Sequence, residues 1–204
     1  MSLLNLEQQL TFYAQYHRSK VNIIVHIVCV PIIFWSTLVW SANTGPLLPY
    51  EEDSLWRFTP FVPNLSLFTV TFYICYYILL EPVAGALYAP VLLYMAYNAT
   101  NFAENYPNHN VLAVAVHVFS WIVQFIGHGF AEKRSPALKD NLIQALLLAP
   151  LFVWLEVLFS LGYRSELQGR VEKSVQLAVE EHERKRKEIK GEKELKKKQE
   201  QKVE

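Results

Sequence analysis

Two cysteines, two methionines and seven glycines in 204 residues leave several architectures without material. Two cysteines cannot staple a disulfide scaffold. Seven glycines with no G-X-Y period exclude a collagen-like chain. Net charge is also missing, because 19 basic side chains balance 19 acidic ones. The deficit that matters most is local. Residues 1–163 carry only 6 basic and 9 acidic side chains, whereas about a quarter of an ordinary soluble domain is charged. Residues 164–204 carry the rest, 13 basic and 10 acidic in 41 positions. The first part is too poor in charge to coat a water-soluble globule, and the tail is too rich in charge to form a core. Acids interleave with the bases of the tail, so nucleic acid is not an expected partner.

What the first part has instead is apolar runs. Ile23–Trp40 has 18 residues and one ionisable group, His26; Phe61–Leu80 has 20 and no charge; Pro82–Tyr97 has 16. Val111–Phe130 has 20, with His117 and His128, and Asn141–Tyr163 has 23, with Glu156. A helix needs about 20 residues to cross the hydrocarbon core, so three of the five are long enough. The third run is short and holds Pro90, which makes it a candidate for a tilted, kinked or re-entrant segment. The runs lack the alternation of strands. The expected fold is all-α: a polytopic helical membrane bundle over 1–163, an N-terminal amphipathic helix, and a charged helical or disordered tail over 164–204. Trp35, Trp40, Tyr50, Trp56 and Tyr97 lie near run ends, as interfacial aromatics do. Cys29 and Cys75 lie inside runs and read as buried thiols. No cleavable leader is expected at the N-terminus. Arg18 and Lys20 precede the first run, and Lys133, Arg134 and Lys139 follow the fourth. Basic loops favour the cytoplasmic side, so the N-terminus and the 131–140 loop are expected there. Asn141–Tyr163, interrupted by Pro150, is then the segment expected not to cross.

The polar residues within this apolar frame carry the chemistry. Leu3, Leu6, Leu10, Tyr13 and His17 follow helical spacing, so His17 ends an inward stripe. His26 lies four residues after Asn22, on the same helix face. For His17 and His26 to converge, the chain must bend within Arg18–Val21. On the fourth run His117, Ser120, Gln124 and His128 form a second polar stripe, which Glu132 would extend. Ionisable groups in a membrane helix face the bundle interior or a wet cavity and mark functional sites. His109, in a polar turn, and His182, in the tail, read as solvated.

Neutral imidazole suits zinc, copper and iron. No HExxH, GxSxG or P-loop is present. On a straight helix His117 and His128 stand about 16 Å apart, too far for one ion. Either the chain folds back at Gly127 and Gly129, or there are two sites, or one histidine supports the site without binding. A bundle whose histidines only make hydrogen bonds, a lipid-binding or scaffolding protein, is the competing reading. A bis-histidine haem protein and a di-iron lipid hydroxylase are others, although the clustered HxxxH motifs of the last are absent.

Two blocks resemble a known family. Phe12-Tyr13, Tyr16-His17, Asn22, His26 and Val30-Pro31 form the first. The second comprises Ser120-Trp121, Gln124-Phe125, Gly127-His128-Gly129, Glu132-Lys133-Arg134, Pro136-Ala137-Leu138, Asp140-Asn141-Leu142 and Ala149-Pro150. Both are similar to the endoplasmic-reticulum iron(II)-dependent 2-hydroxy fatty acid dioxygenases of the alpha-oxidation branch of phytosphingosine breakdown. The resemblance spans roughly residues 3–164 and leaves out the tail. It implies iron(II) bound through His17, His26, His117 and His128, with a 2-hydroxy fatty acid, molecular oxygen and membrane lipids as partners. Asn22, Gln124 and Glu132 are the candidates to orient the imidazoles.

Overall fold

A computed structural model describes residues 4–49, 55–132 and 144–200, and no strand occurs among them. Seven α-helices follow in order: α1 Leu6–Ala14, α2 Lys20–Ala42, α3 Leu65–Leu80, α4 Pro82–Asn105, α5 His109–Gly127, α6 Ala149–Ser160 and α7 Ser165–Glu200. A 3₁₀ turn covers Leu55–Phe58, and π-helical turns cover His128–Glu132 and Gln144–Leu148.

Local chemistry sets the boundaries. Asn5 caps α1 by accepting the Gln8 N–H at 3.0 Å. Asn64 caps α3 in the same way, accepting from Leu67 N at 3.1 Å. That cap starts α3 four residues later than the apolar run begins. The helix therefore has 16 residues, about 24 Å, where the run suggested a full span. Pro82 opens α4 at its first position, where the missing N–H has no cost. The helix then runs unbroken for 24 residues, past the end of the apolar run, so Pro90 does not interrupt it. A Cβ on Gly85 would lie 2.6 Å from the Tyr77 and Ile78 backbone. The tight α3–α4 hairpin therefore requires glycine there.

α2 is the central element and touches α3, α4, α5 and α6. It runs antiparallel to α5 along its length. At one end Glu132 meets the backbone of Arg18 and Ser19; at the other Asn43 meets Asn110 at 2.8 Å and His109 at 2.9 Å. His109 is thus engaged at the start of α5, its second nitrogen lying 2.7 Å from the Tyr106 carbonyl. The core is made of Leu38, Val70, Tyr77, Leu92, Leu151 and Leu155, among others. The outer face of α5 exposes Val111, Val118, Phe119, Ile122 and Phe125, a surface suited to lipid. Cys29 is buried, but Cys75 is exposed beside Phe72 and Leu79 on the outer face of α3. Being in an apolar run does not bury a thiol when the run faces lipid.

Among the described residues two helices are long and apolar enough to cross a membrane, Lys20–Ala42 and His109–Glu132. Leu146–Ser160 and Ser165–Glu181 qualify only together, bent by 115°. The bend falls at Gly162 and Arg164, whose φ values of 86° and 46° reverse the chain. Tyr163 donates to Glu81 at 2.8 Å and Arg164 pairs with the same carboxylate. Past this corner Leu167, Val171 and Val175 are buried. α7 lies along α1, and Arg170 contacts Glu7 at 3.2 Å. The start of the tail thus packs into the bundle.

Candidate metal centre

α1 ends at Ala14 and α2 begins at Lys20, so the chain turns in the intervening residues and carries His17 back over His26. α5 delivers His128 from the other side. The ring centroids lie 4.5 Å apart for His17 and His26, 4.9 Å for His17 and His128, and 4.9 Å for His26 and His128. The rings stand at 70° to 83° to one another. One nitrogen from each lies within 4.8 Å of the other two. His26 and His128 are buried, and His17 is half-buried.

The hydrogen bonds fix which nitrogen is free. His17 Nδ1 lies 2.9 Å from the Tyr13 carbonyl, and His26 Nδ1 lies 2.9 Å from the Asn22 carbonyl. A carbonyl only accepts, so each Nδ1 carries the proton and each Nε2 keeps its lone pair. This is how proteins prepare imidazole for a metal. Burial holds the His17 pKa well below the usual value, and the neighbouring His26 lowers it further. The ring is therefore neutral, as a ligand must be.

Close approach of α2 and α5 depends on Gly127. A Cβ there would meet Asn22 Oδ1 at 2.7 Å. Directly after it the α-helix widens into the π turn His128–Glu132, a distortion frequent at functional sites. Each of the three histidines also has a polar residue four positions before it: Tyr13 before His17, Asn22 before His26, and Gln124 before His128. Tyr13 Oη, Asn22 Oδ1, Gln124 Nε2 and His128 Nδ1 are buried and find no partner among the described residues. Buried polar atoms are paired in finished cores. Such a group of unpaired atoms fits a site that receives a polar guest.

His117 is not part of this cluster. Its Nε2 accepts from Trp121 Nε1 at 2.9 Å, and its Nδ1 lies 2.8 Å from Ser36 Oγ, which in turn bonds the Ile33 carbonyl at 2.8 Å. Indole is a donor only, so it occupies the one lone pair of the ring. His117 therefore joins α2 to α5 and offers no nitrogen to a metal. Of the four histidines in the matching blocks, the structure brings together three. The chain does not fold back at Gly127 and Gly129, and the helical separation holds.

Of the three candidates to orient the imidazoles, Asn22 does so through its backbone carbonyl. Among the described residues no side chain of Asn22, Gln124 or Glu132 bonds an imidazole; backbone carbonyls do so. Glu132 Oε1 instead accepts from Arg18 N at 2.9 Å, Ser19 N at 2.8 Å and Asn22 Nδ2 at 3.2 Å. Tyr13, part of the apolar stripe and of the first family block, is a further residue of the site. It stacks on His17 with centroids 4.0 Å apart and planes at 15°. Its position four residues before a histidine was the available signal. Burial, then the Glu156 and Glu132 carboxylates, push its pKa well up, so it stays a phenol.

A family model described as 2-hydroxy-palmitic acid dioxygenase Mpo1-like matches residues 3–161. The chain belongs to the Mpo1-like family. Among relatives of this Mpo1-like chain, the Saccharomyces cerevisiae 2-hydroxy-palmitic acid dioxygenase MPO1 is 34% identical over 175 residues. That alignment takes in 86% of this chain and 92% of the relative. No solved structure matches the chain. The Mpo1-like match contains all three clustered histidines and stops before α7.

Proposed function

We propose that His17, His26 and His128 bind iron(II) and that this 2-hydroxy fatty acid dioxygenase shortens its substrate by one carbon there. The dioxygenase activity and the class of substrate come with the family. The observation that supports the metal is the triad itself, three converging imidazoles with two Nε2 lone pairs prepared and a buried His128 nitrogen unpartnered. Three nitrogens leave coordination positions open, and imidazole is a normal ligand for ferrous iron. Ferrous iron supplies the redox chemistry that lets molecular oxygen react with a closed-shell acid.

The protein's own part is binding and exclusion. Tyr13 and Gln124 present buried donors next to the triad, which suit the carboxylate and hydroxyl of a 2-hydroxy acid. The apolar helix faces around the bundle suit an aliphatic chain kept in or beside the bilayer. The family name disfavours a lipid-binding protein without catalysis.

The membrane in question is the endoplasmic reticulum, and the pathway is alpha-oxidation in phytosphingosine catabolism. The N-terminus and the 131–140 loop face the cytosol, in keeping with Arg18 and Lys20. The Arg18–Glu132 contact supports a common side for the two; positions 133–140 lie outside the described residues. Residues 1–163 form the catalytic unit and 164–204 the tail.

Anaerobic purification, metal analysis and incubation with 2-hydroxypalmitate and oxygen test the reading. The expected result is one iron per chain and appearance of the acid one carbon shorter. Iron present without that product refutes the assigned reaction.

A further inference from the structure

The geometry points to Glu132 as the positioning residue that closes the metal site, by fixing the segment that carries His17 against the helix that carries His128. α2 begins at Lys20 with Ser19 as its cap residue, yet the Ser19 side chain makes no capping hydrogen bond. The first N–H groups of a helix need an acceptor. Glu132 supplies one for the Ser19 N–H from across the bundle. Its Oε1 alone takes the Arg18 N–H at 2.9 Å, the Ser19 N–H at 2.8 Å and the Asn22 amide at 3.2 Å. A carboxylate at a helix N-terminus is further favoured by the helix dipole.

The position of this acceptor gives it meaning for the site. Arg18 directly follows His17, and Asn22 provides the carbonyl that orients His26. Glu132 is the last residue of the π turn that His128 begins. One oxygen atom of the turn that carries His128 therefore holds the residue after His17 and the residue whose carbonyl orients His26. The π turn places it there, since it alters the angular spacing between His128 and Glu132. α1 is only nine residues long, and the linker carrying His17 has no regular structure of its own. Apart from the Glu132 contacts, the described residues hold His17 through Tyr13, its ring contacts with His26 and His128, and the packing of α1.

This inference rests on the metal reading above. Full-length protein in lipid nanodiscs is titrated with ferrous ion under anaerobic conditions, for wild type, Glu132→Ala, Glu132→Gln and Glu81→Gln, with the melting temperature of each metal-free form recorded. Supporting groups around metal ligands typically change affinity by about 10- to 100-fold. Glu132→Ala is expected to weaken ferrous binding by that amount. Glu132→Gln, which keeps an acceptor oxygen, recovers part of the loss. Glu81→Gln perturbs a buried carboxylate elsewhere in the bundle; it lowers the melting temperature and leaves ferrous affinity at the wild-type value. Wild-type affinity in Glu132→Ala, or equal losses in the Ala and Gln variants, overturns the role of Glu132 and leaves the triad standing. Failure of the wild type to bind ferrous ion removes the metal site and this inference with it.

Discussion

Tyr13 and His17 are bound to each other twice: their rings stack at 4.0 Å, and the Tyr13 carbonyl holds the His17 Nδ1–H at 2.9 Å. The stack uses the ring, the hydrogen bond uses the backbone, and the Tyr13 hydroxyl takes part in neither. Tyr13→Phe should therefore keep the site and relieve a buried, unpaired hydroxyl. Its melting temperature should equal or exceed that of the wild type, and ferrous binding should be retained. A fall in kcat/KM despite this shows that substrate uses the hydroxyl. Tyr13→Ala should cost about 3–5 kcal/mol, measured by thermal unfolding in detergent, and should weaken metal binding as well.

His117 and His26 should behave oppositely. His26→Gln removes a ligand, and metal analysis should find less than stoichiometric iron and no turnover. His117→Gln breaks the link among Ser36, Trp121 and the ring. It should cost about 1–3 kcal/mol of stability while the folded protein still binds iron and turns over substrate.

The two glycines that flank His128 are not equivalent. Gly127→Ala drives a Cβ to 2.7 Å from Asn22 Oδ1, which must move α2 away from α5 or displace Asn22. A loss of about 1–3 kcal/mol is expected for such overpacking, with lowered iron occupancy. Gly129→Ala meets nothing within 4 Å and should leave both stability and occupancy near wild type. Equal effects of the two would show that helix approach does not govern the site.

Truncation divides the tail. A chain ending at residue 180 keeps Leu167, Val171, Val175 and the Arg170–Glu7 contact and should retain full activity. A chain ending at residue 164 loses the cover over α1. Hydrogen exchange should then report faster opening of residues 6–14, and iron should leave more readily.

Metal removal should be visible without any substrate. A ligand that binds only the folded state raises stability by about 2.7 kcal/mol at a hundredfold excess over its dissociation constant. Adding a ferrous chelator to the loaded protein should therefore lower its melting temperature, and His128→Ala should show no such difference.

Much of the fold was legible because apolar length and charge depletion report directly on a bilayer. The bend between His17 and His26 was legible too, because nine residues on one straight helix leave the two rings on different faces. Helix ends were less so: Asn64 shortened α3 and Pro90 failed to interrupt α4, both local effects that a hydropathy pattern averages away. His117 shows the limit for the site. It lies on the same stripe as His128, and spacing alone cannot tell a ring aimed at a cavity from one taken up by Trp121 and Ser36. Glu132 stood out by its register, but its partners lie in the linker before α2 and on α2 itself, 110 residues or more earlier in the chain. Periodicity within one segment carries no information about such pairs.

Two histidines of the triad reside on the first 26 residues, and the third follows only after α3, α4 and α5. During synthesis the pair at the N-terminus must wait until α5 has entered the membrane and folded back along α2. On the proposed iron site, loading is then a late event in biogenesis, and a nascent chain halted before residue 128 should emerge without the cation.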